Sequence, residues 1–529
     1  EEGLASRGPS TKPVAPMQHR SARALFASLG FASLVACGAA PEGAGSGQAP
    51  VEPTAPVLVA DKVSVETISL FQAVKGDLVL HGAAVAKPLP VVAGRAGLVR
   101  VYVANATSKS VRLAVSAVAV NAAGVEIARG VATHSVGTGA PRDDVPSSFF
   151  DVALPETGFV VGGGIRIEVR EVTSLGAPTT AEPLVYPAAS ESPILLPIQR
   201  ATANLEVRFV PVRYTAEGQN LLPEVSTEGL EAYRQTLLAM YPVSTVHVAM
   251  RAAGEVTWDQ PIAANGDGWS EALGAVLEAR QKDAAADDVY YVGLFRSRTE
   301  FGSYCRGGCV LGLAAGIPGP RDAEERAALA VGFDPVNGAE TVAHELGHVH
   351  GRRHSPCGGA AGPDRSYPNK DGSLDAIGWD SRDGSFYESG YDFMGYCNPS
   401  WVSAFTWRAL ADRVDAISAL SVATPSGPTV PAGGNGLVRP GSRVMPYRMI
   451  HVDGQGGLRA GAATTRRGMP EGDAVTLRAA DGTTLTGAYY GYDEIPGGYL
   501  LVPNVRNSRE TFVIDQGAGL VRTGATVTF

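Results

Sequence analysis

The chain has 529 residues, is 45% hydrophobic and 18% charged, and carries a net charge of −9. That length exceeds a single core, at roughly 150 residues per domain, and the acidic balance gives no electrostatic case for nucleic-acid binding. With Gly 64 and Pro 36, the composition favours many turns and short strands over helical bundles.

The first element in chain order is a secretion signal. From Met17, Arg20 and Arg23 make a basic start, and Ala24 to Ala36 make an apolar run too short to anchor in a bilayer. Residues 1–16 read as an upstream extension. Leu34-Val35-Ala36-Cys37 resembles a bacterial lipobox, which implies cleavage before Cys37 and a lipid on its thiol. A plain signal peptide with an incidental cysteine is the alternative. Either way the chain is expected to be exported: anchored as a lipoprotein at the outer membrane or cell surface, or secreted. Residues 37–57, rich in Gly, Ala and Pro, read as a flexible tether. No later apolar run approaches the ~20 residues of a membrane span.

Residues 58–198 contain segments such as LVRVYVANA and VRLAVSAVAV, which predict an all-β sandwich, immunoglobulin-like in general architecture only. Residues 199–422 mix the two periodicities. Strands are expected at 203–214, 245–252 and 287–296, with helices at 226–242 and 269–283 between them. This alternation favours a mostly parallel sheet backed by helices. A short apolar strand follows at 308–319.

Residues 341–354 read TVAHELGHVHGRRH. On a helix His344 and His348 are one turn apart on one face, so both imidazoles can reach one ion. Gly351 can end the helix in the left-handed region, letting His354 swing back as a third ligand. Three protein ligands and one open position are typical of catalytic zinc. His350 fits no ligand position. The five positions His344, Glu345, His348, Gly351 and His354 resemble the zinc signature of the metzincin metallopeptidases.

That resemblance implies a central α/β catalytic domain with a mostly parallel twisted sheet and one catalytic Zn2+. Glu345 is then the general base for a zinc-bound water. It also implies a methionine-containing turn beneath the metal, matched by Met394 in YDFMGYCNPSW, 391–401. Tyr396 stands where astacin-like members carry a tyrosine that stabilises the oxyanion, although Gly395 departs from the family's usual residue. An antiparallel edge strand near Cys309–Ala315 would pair with an extended peptide.

In the intervening loop Asp371-Gly372 and Asp383-Gly384 read as turns, and no spacing matches a calcium loop. An amphipathic helix is expected at 403–420, a linker at 423–436, and a small all-β accessory domain at 437–529, in which His451 reads as structural. With Cys37 set aside, Cys305, Cys309, Cys357 and Cys397 are an even number, which in an exported protein favours two disulfides. If Met394 lies under the metal, the segments leaving His354 and Met394 run together. That pairs Cys357 with Cys397 and leaves Cys305 for Cys309. A cysteine-rich second metal site is the alternative.

The functional expectation is a zinc endopeptidase acting on extended peptide or protein substrates outside the cell, meeting a membrane only through a lipid at Cys37. The alternative is a surface-tethered binding or adhesion protein with a structural zinc and no peptidase activity.

Overall fold

Runs of alternating β-branched residues build the first layer of the computed structural model, which describes residues 62–173, 182–423, 444–467, 470–503 and 510–528. The expected signal, the lipobox with Cys37, the tether and nearly all of the expected linker lie outside the described residues. Val63–Phe71, Lys75–Leu80, Gly97–Asn105 and Phe149–Leu154 pair antiparallel in one sheet. Val111–Val120, Glu126–Val136 and Gly164–Glu171 pair antiparallel in a second. Every second side chain points inward. Val99, Val101 and Val103 from one sheet therefore share a buried core with Val115, Ala117, Ile165 and Ile167 from the other.

The next layer is a six-stranded sheet. Asn204–Tyr214 lies parallel to Thr245–Met250 on one side and Val289–Phe295 on the other. Ala327–Val331 continues the parallel order, and Gly312–Ala314 closes the edge antiparallel to it. Helices Thr227–Met240, Trp269–Lys282 and Pro335–Val349 pack against these strands. The first of them is capped by Ser226, whose hydroxyl accepts from the Gly229 N–H.

The expected fold class needs correction. The described residues are mostly β and only 18% helical, and they are not organised around an α/β metzincin-like domain. Among the described residues parallel pairing is confined to the six-stranded sheet and the short pair Tyr391–Asp392 with Ser400–Trp401. The physical reason is that helix–strand alternation, which suggested the α/β class, ends at Gly351. Among the described residues beyond it come loops with two-residue bridges, then a single helix, Ala404–Ala423, and then only strands.

The first sheet buttresses the central layer through a buried cation. Arg95 donates to the Ala239 and Tyr241 carbonyls at 2.9 and 2.5 Å, the C-terminal end of helix Thr227–Met240, where the helix dipole favours positive charge. Ala73, from the turn after Val63–Phe71, accepts from the Trp401 indole at 2.8 Å. Its neighbour Val74 belongs to the same apolar cluster as Val342, Leu346 and Met394.

Seven antiparallel strands between Val444 and Thr528 form the last sheet. It docks on the central layer through a buried ion pair, Arg466 Nε to Glu325 Oε1 at 2.8 Å, with side chains only 5% and 2% exposed. Removing one member leaves the other charge buried and alone. Glu325→Ala should therefore cost about 3–5 kcal/mol, while replacing both residues with methionine should cost much less. A double-mutant cycle in urea, reading unfolding of the chain, checks this.

Candidate metal centre

The helix Pro335–Val349 is well specified at both ends. Asp334 accepts from the Val336 N–H at 2.9 Å, and Pro335 occupies the first helical position, where its missing N–H is not needed. At the other end the Gly351 N–H donates to the His348 carbonyl and the Arg352 N–H to the Gly347 carbonyl. This is the paired termination in which the residue past the cap turns left-handed, and Gly351 has φ +85°. The reversed chain brings His354 back beneath the helix, fully buried at 0% exposure.

All three histidines point one nitrogen at a common space and the other at a backbone carbonyl. His344 Nδ1 lies 2.7 Å from the Phe393 oxygen, His348 Nδ1 2.8 Å from that of Arg352, and His354 Nδ1 2.7 Å from that of Ala361. A carbonyl only accepts, so each Nδ1 must carry a proton, which leaves each Nε2 to face a cation or take a second proton. This is the second-layer arrangement that orients metal-binding imidazoles. The Nε2 atoms of His344 and His348 stand 3.1 Å apart. Two lone pairs cannot bond each other at that distance without a positive charge between or upon them.

A fourth donor arrives from the last sheet. Glu494 Oε1 lies 2.8 Å from His354 Nε2, 3.0 Å from His344 Nε2 and 3.5 Å from His348 Nε2. Ligands at ~2.05 Å around a tetrahedral ion are separated by ~3.3 Å. The spacing therefore fits one small cation held by three imidazoles and a carboxylate. His344, His348, His354 and Glu494 are a group that could hold a metal ion.

The electrostatics agree with a cation-seeking centre. Burial lowers the pKa of His344, offset only in part by Glu494. Burial also opposes the charged form of His348, but the Asp493 and Glu494 carboxylates push it up to about 10. Burial works against ionised Glu494 too, yet the three imidazoles that contact it hold its carboxyl far below the usual range. Glu345 goes the other way: burial first, then the Glu494 charge, drive its carboxyl well above the usual range. Its Oε2 has no hydrogen-bond partner among the described residues. The edge strand leaves it space only because residue 312 is glycine, where a Cβ would come 2.2 Å from Glu345 Oε1.

Met394 is buried and its segment runs beneath the helix, with its sulfur 2.3 Å from where a Cβ on Gly347 would stand. Asp392 shapes this turn. Buried completely, it accepts from the Met394 N–H at 2.8 Å through one oxygen and from the Ser403 N–H at 3.1 Å through the other. The Tyr396 hydroxyl lies 3.2 Å from His354 Nε2 and donates to Glu494 Oε2 at 2.5 Å. Gly395 departs from the metzincin pattern for a local reason: a Cβ there would meet Ser355 Oγ at 2.5 Å.

Cys357 and Cys397 are disulfide-bonded, with Cα atoms 5.8 Å apart, and Cys305 is bonded to Cys309 at 5.0 Å. The first bond closes the loop between His354 and the Met394 turn. By the chain-entropy estimate a loop of that size contributes about 4 kcal/mol. His350 sits outside the cluster, stacked on Tyr290 with ring centroids 4.4 Å apart, and burial brings its pKa down to about 3. His451, in the last sheet, is not part of the centre. Asp371 and Asp383 form local turns, each accepting from the backbone N–H and the hydroxyl of a serine two residues on.

Sequence reasoning missed Glu494, Asp493, Asp392, Gly347 and Gly312. The run YDEIPGG at 492–498 marks only a turn, and Glu494 is 140 positions from His354.

No protein-family model and no curated protein matches the chain. Among solved structures it is similar to a Bacteroides uniformis β-glucuronidase, at 10% identity and a TM-score of 0.13, covering 44% of this chain and 28% of that one. A putative β-galactosidase from Bacteroides fragilis aligns at 9% identity and a TM-score of 0.14, covering 45% and 49%. A glycosyl hydrolase family 2 member from Bacteroides cellulosilyticus DSM 14838 aligns at 8% identity and a TM-score of 0.14, covering 87% and 89%. The chain thus spans less than half the length of the first two. Likeness at these scores assigns neither a fold nor an activity.

The geometry predicts one divalent ion per chain. His354→Ala should weaken its retention at least ~10-fold, the scale of losing even a supporting group at a metal site, and chelation should lower the Tm of the wild-type chain. Metal analysis after chelator competition, with thermal melts, checks both.

Proposed function

We propose that the chain is a zinc-dependent hydrolase of peptide bonds, with the metzincin resemblance of residues 344–354 as its guide. The observation that carries this reading is Glu345, a buried carboxyl with an oxygen unpartnered among the described residues, beside three convergent imidazoles. A purely structural centre has no use for so costly a group. Zinc bound to His344, His348 and His354 would polarise the scissile carbonyl and acidify water toward a pKa of ~7. Glu345 takes a proton from the attacking water and returns it to the leaving amine, so that one peptide bond and one water become a carboxylate and an amine. Tyr396 donates a hydrogen bond to the oxygen that gains charge. The edge strand Gly312–Ala314, paired within its sheet on one side only among the described residues, offers main-chain groups to an extended substrate.

One observation favours a second reading, a tethered binding protein with a structural metal: Glu494 supplies a fourth protein donor. Cleavage of an unfolded reporter protein by metal-loaded chains decides between them, in wild type and in a Glu494→Gln background. Glu345→Ala should retain the metal and the Tm but lose ~10²–10⁴-fold in rate. Tyr396→Phe should lose up to ~10²–10³-fold in kcat with little change in KM. Indistinguishable rates with and without Glu345 sink the enzymatic reading.

The same proposal places the protein outside the cytoplasm, where its two disulfides would persist, tethered by a lipid on Cys37. Cys37→Ala should move the protein from the membrane fraction to the soluble fraction or leave an uncut precursor. Unchanged partitioning, followed by immunoblot, refutes the anchor.

A further inference from the structure

The turn that carries Glu494 joins strands Thr484–Gly491 and Gly498–Pro503 and is closed by the Tyr492 N–H donating to the Gly497 carbonyl at 3.1 Å. It is not a free tip. Tyr492 and Ile495 pack on the apolar cluster that contains Trp269, Leu313 and Ala315. The Tyr499 hydroxyl donates to the Ala315 carbonyl at 3.2 Å, just past the edge strand. Arg466 with Glu325 and Arg321 with Glu471 tie the same sheet to the central layer. The last sheet therefore sits over the mouth of the metal centre and presses one acidic residue into it.

We propose that Glu494 is a fourth metal ligand that keeps the centre latent, the last sheet acting as a built-in plug. This rests on the hydrolase reading above and adds its regulation. One oxygen of Glu494 contacts all three Nε2 atoms, at the vertex where water must enter. The other takes the Tyr396 hydroxyl at 2.5 Å, the donor assigned to the substrate oxygen. A carboxylate placed on both positions at once imitates the carboxylate product of peptide hydrolysis. Asp493 plays a different part. Its Oδ2 lies 3.2 Å from His348 Nδ1, but that N–H is already given to the Arg352 carbonyl, so Asp493 adds negative charge without occupying the vertex. Because the plug is tethered, it competes at high effective concentration without any strong affinity of its own. Turnover requires the 492–497 turn to withdraw.

The test uses the full chain loaded with cobalt(II), whose visible spectrum reports coordination, and acetohydroxamate as a small bidentate probe. Wild type should bind the probe weakly. Glu494→Gln and Glu494→Ala should bind it ~100-fold or more tightly, the order lost with a tethered competitor, while Asp493→Asn should shift the affinity far less. Equal affinity in wild type and both Glu494 variants, at matched Tm and cobalt content, overturns the plug. So does an Asp493→Asn effect as large as that of Glu494→Gln, which would make charge rather than ligation the cause. Cleavage separates the two proposals. Variants that open to the probe yet cut nothing uphold the plug and refute the peptidase. A wild type that cuts as fast as Glu494→Gln refutes the plug and upholds the peptidase.

Discussion

Three imidazole lone pairs facing one point are the constraint on which the centre depends. Each ring has surrendered its other nitrogen to a backbone carbonyl, of Phe393, Arg352 or Ala361, so no rotation or change of tautomer can relieve the crowding cheaply. Every one of those carbonyls belongs to a loop outside the helix that carries His344 and His348. The loops must therefore be held as firmly as the helix. The disulfide between Cys357 and Cys397, the bonds of Asp392 to Met394 and Ser403, and the Trp401 indole on Ala73 all serve that end. The first sheet, which holds no residue of the centre, contributes by giving Trp401 a rigid acceptor.

How much of this could be read from the chain depends on sequence distance. His344, Glu345, His348, Gly351 and His354 lie within eleven positions, where helical spacing and one left-handed glycine determine the geometry almost alone. Their convergence was therefore legible. Met394 and Tyr396 could be singled out only through the metzincin resemblance, since a methionine and a tyrosine in a turn signal nothing by themselves. Glu494 was not legible at all. A glutamate in a hairpin turn reads as solvent-exposed, and only tertiary packing of Tyr492 and Ile495 turns it inward.

The fold class failed for a related reason. Periodicity reports each segment but not the proportion of the whole that a pattern governs. The helix–strand alternation between Asn204 and Val349 is real, yet most strands of the chain belong to antiparallel sheets on either side of it. Short two-residue bridges such as Gly378–Trp379 with Phe386–Tyr387 leave no periodic trace, and they replace the regular elements that an α/β domain would need after its ligand helix. The local signature is consequently stronger evidence about chemistry than about architecture.

The placement of charge sharpens that distinction. Glu345 and Glu494 are both buried carboxylates near the same histidines, but they are pushed in opposite directions. Glu494 touches the imidazole nitrogens and stays ionised. Glu345 has an oxygen without a partner among the described residues, and burial with the Glu494 charge drives its pKa well above the usual range. A cation there lowers the cost of ionising Glu345, and more so when Glu494 no longer neutralises it. On the proposed reading, withdrawal of Glu494 would do two things together: vacate the fourth vertex and strengthen the field that favours ionised Glu345. On that reading the two acids would be coupled through the ion they would flank, so opening the centre and arming it would be one event.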